Sequence, residues 1–472
     1  MERTAFRTLL TLLFAFLFHN VQAGEFYNKE EIQTRLESME CIVKPRYNTT
    51  VENYIKGYLA HDAYKAKLIL SRSVTFFPIF EKYLEEHNLP EDLKYLSVLE
   101  SALNPKAVSR VGATGLWQFM KDTGAGYGLQ INSRIDERSC PNRSTMAAME
   151  YMANAYERFN SWELAIASYN CGAGNVRKAI LRSGGKTDYW EISKYLPRET
   201  RNFVPAFLGA AYMVQYHHLH QVTPKYCHLD YQLTESELIY NEISFETIAA
   251  IAGIPVTVVD TLNPAYKKGY IPANDYGNWL VLPRRTMQAV RDYIQLLHPD
   301  KGPASELPPL PELVEEANYS PNDYYYKTYY TTLEGDRLKA LGKLFSCSGY
   351  NLKVWNNLTV NQLRRGQELL VWFPKEIKRY QPFSEKIAAL PAKSRTPKKV
   401  ENIRALAPKI NPIEPIKLTP ISVNEQPNLP FTALTSSAAE QKLAREQKEK
   451  KLDLQKMKAW VGEKRFFKKK KD

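Results

Sequence analysis

Tyr95-Leu96-Ser97-Val98-Leu99-Glu100-Ser101-Ala102-Leu103 is an apolar helical run with a single carboxylate near its end. A carboxyl group held against leucines is costly to ionise, so its pKa rises and it keeps its proton near neutral pH. In that state it can give the proton to a leaving oxygen. Asn104-Pro105 then stops the helix, and Ser109 follows nine residues after Glu100. Gly112-Ala113-Thr114-Gly115-Leu116-Trp117-Gln118-Phe119 adds a glycine-lined stretch with a side-chain amide. The plainer alternative is a solvated glutamate one turn from a helix end, where most helical glutamates lie.

Outward from this run, the pattern is helical from about Asn48 to His220. Pro90 suits a first turn, and Ser144 is expected to cap a helix with Ala148, Met152, Tyr156 and Phe159 on one stripe. Ser161 caps the next helix, and Asn175 opens another that ends at Gly184-Gly185. No alternating strand pattern interrupts the stretch, which therefore reads as one all-α domain. The second half changes character: Phe245 to Ala250 begins a short helix, Val258 to Leu262 a second, and Asn278 to Pro283 a closing strand. The order recurs with helices over Leu333 to Leu344 and Tyr350 to Trp355, a break at Asn356-Asn357, and a strand from Gly366 to Val371. Recurrence of this kind marks a repeated small module.

At 472 residues the chain exceeds one core and divides into several domains. The expected boundaries are a signal segment at 1–23, an N-terminal helical extension at 24–74, the helical domain at 75–225, a first module at 235–285, a Pro- and Glu-rich linker at 300–324, a second module at 325–375 and a basic tail at 376–472. Arg3 and Arg7, the apolar run Leu9 to Phe18 and Val21-Gln22-Ala23 form the three parts of a secretory signal. Gly24 follows where a lipid-anchored chain needs Cys, and no later run reaches about 18 apolar residues, so the exported product is expected to be soluble. The tail is Lys/Pro-rich with little apolar periodicity and reads as largely disordered, with Ala438 to Trp460 able to form an isolated charged helix.

The net charge of +13 is not spread over a folded face, because residues 436–472 alone hold 13 Lys/Arg against 6 Asp/Glu. With an export signal this excludes nucleic acid as the expected partner and favours an anionic envelope surface. Five cysteines are scattered without a CxxC pair, so no metal-ligand spacing exists; Cys140 with Cys171 is the pair placed to bridge if any does. His217-His218-Leu219-His220 with Cys227-His228 looks like a metal cluster, but adjacent helical histidines point to different faces. Gly172-Ala173-Gly174 lacks the preceding strand and third glycine of a dinucleotide fingerprint. Neither metal nor cofactor is expected.

Four segments together resemble the lysozyme-like family of lytic transglycosylases. Glu100-Ser101 is similar to its catalytic Glu-Ser pair, and Gly115-Leu116-Trp117-Gln118 to its Gly-Leu-Met-Gln motif, with Trp in place of Met. Ser168-Tyr169-Asn170-Cys171-Gly172 is similar to Ala-Tyr-Asn-Ala-Gly, and Leu196-Pro197-Arg198-Glu199-Thr200-Arg201 to the late Pro-x-Glu-Thr-Arg segment. The C-terminal repeats resemble LysM modules, small βααβ units that bind N-acetylglucosamine-containing glycans. The second copy is the better match, through Glu334-Gly335-Asp336-Arg337-Leu338 and Trp355-Asn356-Asn357-Leu358; the first lacks the Gly-Asp entry and carries a longer insert from Ala265 to Gly277. The expected architecture is therefore multidomain: an all-α lysozyme-like catalytic domain, two small α+β LysM-like modules and a disordered basic tail.

The resemblance implies an exported enzyme of the periplasm or cell envelope acting on peptidoglycan glycan strands. It implies a single-acid mechanism on the MurNAc–GlcNAc β-1,4 bond. Glu100 protonates the bridging oxygen, the N-acetyl group supports the developing charge, and Glu100 then takes the proton of the C6 hydroxyl to leave a 1,6-anhydro end. The carboxylates nearest in sequence, Asp122, Asp136 and Glu137, have no catalytic role in the family. Ser109 is expected to bond the N-acetyl group or the Glu100 carboxyl, Gln118 the carboxyl or the sugar, and Tyr169 to pack beneath a sugar. Asn170 is expected chiefly to fix the local fold, and Trp117 to widen the aromatic wall. One departure is Phe203, where the family usually has a Tyr that reaches the catalytic carboxyl. The rival readings are a lysozyme-type hydrolase that uses water and a non-catalytic wall-binding protein.

Overall fold

The computed structural model describes residues 28–296, 310–375 and Tyr380. The signal segment, the first part of the linker and the tail lie outside the described residues, apart from Tyr380. Helix α1 (Lys29–Glu37) and the long α2 (Thr49–Glu86) open the described chain. Asn48 caps α2 by accepting the Val51 N–H at 3.0 Å, and Ile55, Ile69, Leu70, Phe77 and Phe80 give it a fully buried face. The helix runs through residue 74 without a break there, and its buried face joins the same core as the elements that follow. Behind it come α3 (Lys94–Ser101), α4 (Pro141–Phe159), α5 (Trp162–Cys171), α6 (Ala173–Arg182) and α7 (Phe203–Tyr216). α7 lies along α2 so closely that a Cβ on Gly209 would sit 2.7 Å from the Cβ of Tyr54. Any larger residue there would push the two helices apart.

Two of the expected caps move. Ser144 lies inside α4, its hydroxyl turned back on the Cys140 carbonyl at 2.7 Å; the helix starts at Pro141, whose missing N–H costs nothing in a first turn. α6 begins at Ala173, after Gly172 turns with φ 80°, so Asn175 is already in its first turn. Ser161 does cap α5, accepting from the Leu164 N–H.

The second half consists of two units that share a strand–helix–helix–strand order, the first with an additional short strand pair. The first runs β1 (Thr234–Ile239), β2 (Ile243–Ser244), α8 (Phe245–Ala252), α9 (Val256–Leu262), β3 (Tyr270–Ile271) and β4 (Asn278–Pro283). β1 pairs antiparallel with β4, Thr234 opposite Pro283 and Ile239 opposite Asn278, while β2 pairs with β3. A helix absent from the sequence reading, α10 (Arg284–Leu296), continues from β4 and buries Met287, Val290 and Tyr293 against this core. The second unit is β5 (Tyr325–Thr331), α11 (Leu338–Phe345), α12 (Gly349–Trp355) and β6 (Glu368–Pro374), with Tyr325 opposite Pro374. α11 starts five residues later than expected, because Asp336 accepts the Leu333 N–H and makes a turn of that segment. No single described helix is long and apolar enough to cross a membrane.

The insert that sets the first unit apart is its seam with the helical domain. Asp136 N–H donates to the Ala265 carbonyl and Lys267 N–H to the Arg134 carbonyl, both at 2.9 Å, so the insert continues as a short ladder with the loop before α4. Ile135 buries its side chain in the core of the unit. The second unit meets α2 instead: Tyr350 of α12 sets its ring against Phe77 at 5.1 Å and its hydroxyl 2.7 Å from Ser73 Oγ. Asp230 joins the two units, accepting from the buried Arg285 at 2.8–2.9 Å and from the hydroxyls of Tyr319 and Tyr325. Part of the expected linker is thus tied down through Tyr319.

All five cysteines are free thiols, so Cys140 and Cys171, the pair left open as a bridge, are not joined. Cys140 is buried at the start of α4, whereas Cys171 ends α5 beside Thr200; burial pushes the Cys140 thiol up to about 12.

Candidate active site

α3 is fixed at both ends before it presents its carboxylate. At its start the buried Lys94 reaches Glu81 of α2 at 2.8 Å. At its end Ala102 and Leu103 turn left-handed, with φ of 51° and 58°. Between them the hydroxyls of Ser97 and Ser101 both donate to the Leu116 carbonyl at 2.9 Å, fastening the helix to the glycine-lined loop. Ser101, the second member of the Glu-Ser pair, is therefore committed to the backbone. Glu100 projects between these fastenings, partly buried and with no hydrogen bond or ion pair to its carboxyl among the described residues. Burial, with a smaller contribution from the charge of Glu199, raises its pKa from 4.5 to about 8.

The loop facing it depends on one glycine and one arginine. Gly115 has φ 86°, and a Cβ there would lie 1.8 Å from the Arg138 carbonyl oxygen, so no other residue fits. Arg138 is buried with its fork on Asp136 at 2.8–2.9 Å, and its remaining N–H groups donate to the carbonyls of Gly112 at 2.9 Å and Phe119 at 3.2 Å. One guanidinium thus spans both ends of the loop. Gln118 sits in the left-handed region at φ 48°, and its amide nitrogen donates to the carbonyls of Ala107 and Gly115 at 3.2 and 2.9 Å. Only its carbonyl oxygen is left to accept from a sugar hydroxyl. Ser109 Oγ accepts the Ala113 N–H at 3.0 Å, closing the turn at the tip of the loop.

Trp117 takes a different place from the one expected of it. Its ring is fully buried, 4.9 Å from Phe80 with Nε1 donating to Thr145 Oγ1 at 3.0 Å. It fills the core behind the loop and forms no wall open to a sugar. Its carbonyl accepts the Tyr169 hydroxyl at 2.7 Å. Tyr169 is wedged against Tyr151 and Phe119, and both burial and the charge of Glu100 hold its hydroxyl protonated, which places Tyr169 beside the carboxyl. Asn170 Oδ1 accepts from Thr200 at 2.7 Å and joins the third motif to the fourth.

Hydrogen bonds and charge thus link the helix of Glu100, the loop that carries Ser109 and Gln118, Tyr169 and the segment around Thr200, which come from four separated motifs. Phe203 is the first residue of α7, partly buried against the helical core. Two residues that bear on the site had no individual role in the sequence reading, Glu199 appearing there only within its motif. Glu199 is exposed, and its charge bears on Glu100 from 99 positions along the chain. Arg138 gave no signal beyond its place two residues after Asp136. Of the carboxylates nearest to Glu100 in sequence, Asp136 is engaged by Arg138, and Glu137 by Arg143 and the Gln130 N–H. The histidine cluster also disperses, His220 meeting the Tyr212 hydroxyl and His217 the Val214 carbonyl.

Residues 77–192 match the transglycosylase SLT domain, and residues 238–297 match the LysM-like domain of lytic transglycosylase MltD. The second match falls on the first unit, the one read as the degenerate copy, and takes in α10. The chain is 26% identical over 328 residues to membrane-bound lytic murein transglycosylase D of Escherichia coli K12, covering 69% of each. It is 36% identical over 126 residues to the soluble lytic murein transglycosylase of Salmonella typhimurium, covering 25% of this chain and 19% of that one. Among solved structures it is similar to the 70 kDa soluble lytic transglycosylase of Escherichia coli, at 28% identity with a TM-score of 0.27, spanning about a quarter of that chain's length. The SLT domain match contains Glu100, the loop from Gly112 to Phe119 and Tyr169, and the LysM-like match follows it along the chain: the chain carries a transglycosylase SLT domain ahead of an MltD LysM-like domain and is a lytic transglycosylase enzyme.

Proposed function

We propose that the protein is an exported peptidoglycan lytic transglycosylase that cleaves the MurNAc–GlcNAc β-1,4 bond without water and leaves 1,6-anhydro-MurNAc ends. The observation that carries this reading is the state of Glu100, an acid whose pKa burial raises to about 8 and whose carboxyl no side chain engages among the described residues. Such a group is protonated near neutral pH and free to deliver its proton to the bridging oxygen. The C1–O bond breaks, the protonated oxygen leaves with the neighbouring sugar, and C1 carries positive charge, which the 2-N-acetyl oxygen of the same sugar stabilises. The Glu100 carboxylate then accepts the C6 hydroxyl proton as O6 bonds C1, which restores the acid and consumes no water. Gln118 Oε1 is an acceptor for a sugar hydroxyl, and Tyr169, with its O–H given to Trp117, stiffens the wall beside the acid. The two βααβ units are read as LysM modules that hold the enzyme on glycan and raise local substrate concentration. Export rests on the signal pattern of residues 1–23, and the name of the membrane-bound relative agrees with a place in the envelope.

Glu199 supports a second reading. Hydrolases of this bond use two carboxylates, one of which activates water or attacks the sugar, and Glu199 bears on Glu100 from an exposed position. Mass spectrometry of digested peptidoglycan separates the two. Anhydro-MurNAc ends from the wild type and from Glu199→Gln, with no products from Glu100→Gln, support the lyase. Reducing ends that disappear in Glu199→Gln establish the hydrolase.

A further inference from the structure

The first βααβ unit docks on the helical domain, and its charged contacts land on the two groups that frame the loop from Gly112 to Phe119. On one side Lys267 Nζ lies 3.6 Å from Asp136 Oδ2 and donates to the Asn132 carbonyl at 2.9 Å. Asp136 is the carboxylate that takes the fork of Arg138, whose other N–H groups hold the carbonyls of Gly112 and Phe119. Burial opposes the charge on Asp136, yet Arg138 and Lys267 together hold its carboxyl below the usual carboxylate range. The path from Lys267 through Asp136 and Arg138 to both ends of the loop is therefore unbroken. On the other side Lys106 Nζ donates to Asp260 of α9 at 2.6 Å. The next residue, Ala107, accepts the Gly115 N–H at 2.9 Å and the Gln118 side-chain amide at 3.2 Å.

The two bridges run in opposite senses. The unit supplies the cation at Asp136 and the anion at Lys106, so exchanging the partners would set like charges together, and the pairing fixes one seating of the unit. Both pairs are partly exposed and add little to overall stability; what they fix is where the segments lie. The loop they frame is the one that takes the hydroxyls of Ser97 and Ser101 from the helix of Glu100 and carries Gln118. A module that only tethers the enzyme to glycan needs no bond to that frame. We propose that the first unit is a positioning element of the active site, with Lys267 and Asp260 as positioning residues that hold the loop in its working conformation, so that the unit contributes to turnover itself. The inference rests on the reading of Glu100 as the acid of the reaction.

Hydrogen exchange and initial rates, both on the full chain, test it. In Lys267→Met the backbone amides from Gly112 to Phe119 should exchange about tenfold faster than in the wild type, while those of α2 keep their wild-type rates. With soluble peptidoglycan strands as substrate, kcat per folded molecule should fall about fivefold or more while KM stays within about twofold. Lys267→Arg should recover most of the rate. Lys106→Asp and Asp260→Lys should each show the same kinetic split, and the two together should restore the rate because the pair is re-formed with its charges exchanged. Wild-type exchange of the loop in Lys267→Met, an effect confined to KM, or a rate loss matched by the loss of folded protein in circular dichroism overturns the inference. So does a charge-exchanged double variant no faster than its single parents. Failure of the wild type to cleave any peptidoglycan would overturn the proposed reaction instead, and the exchange measurement, which needs no substrate, would still decide whether the unit holds the loop.

Discussion

Glu100 gets its chemistry from what surrounds it and from the lack, among the described residues, of any side chain that engages it. Its raised pKa has consequences of opposite sign for activity and for stability. Activity requires the proton, so kcat/KM measured against pH should fall as pH rises through about 8. Folding, by contrast, must keep a proton on a group that the unfolded chain releases above 4.5. Stability from this residue is therefore full below about pH 4.5 and declines as pH rises toward 8. Glu100→Gln should lose activity about 10²- to 10⁴-fold. The same substitution should gain roughly 1–3 kcal/mol at pH 7, and the gain should vanish below pH 4.5 in paired denaturant titrations. A carboxylate against Leu99 was legible in the sequence as a candidate acid. The bearing of Glu199 was not, because proximity across 99 positions is a property of the packed helices alone.

At the scale of elements, the loop from Gly112 to Phe119 is held by groups that lie outside the motif that names it. Gly115→Ala drives a Cβ into the Arg138 carbonyl at 1.8 Å and requires a left-handed alanine, so it should cost about 3 kcal/mol or more, seen as a lowered denaturation midpoint. Arg138→Lys keeps the charge but cannot hold Asp136 with two N–H groups and still reach the carbonyls of Gly112 and Phe119. It should lower kcat more than it raises KM, as measured by initial rates on peptidoglycan, because the loop would present Gln118 less rigidly. Capping rules found α5 correctly through Ser161 but placed the start of α4 at Ser144, since a serine hydroxyl bonds equally well to the carbonyl four residues back. The insert from Ala265 to Gly277 read as degeneration of a repeat. Its partner, the strand-like loop around Ile135, lies 130 residues earlier, and only their pairing shows that the insert is a docking element.

Over the whole molecule, the second βααβ unit sits directly on the helix that braces the helix of Glu100. Tyr350 covers Phe77 and lies 5.7 Å from the Nζ of Lys94, the first residue of α3, while Lys94 in turn holds Glu81. Tyr350→Ala should therefore cost about 3 kcal/mol, and scanning calorimetry should show the second unit melting ahead of the helical domain. A single coincident transition in the variant would mean that the contact does not couple them. The sequence by itself determined the helical domain, the acid at its centre, the motifs around it and the repetition of a small α+β unit. Periodicity, helix stops and residue chemistry are written in short windows, and those features need no more than that. The tertiary structure alone decided that Trp117 is core, that Glu199 bears on Glu100 and that Arg138 clamps the loop. Each of these depends on which distant segments exclude water together, and that is settled only when the helices pack.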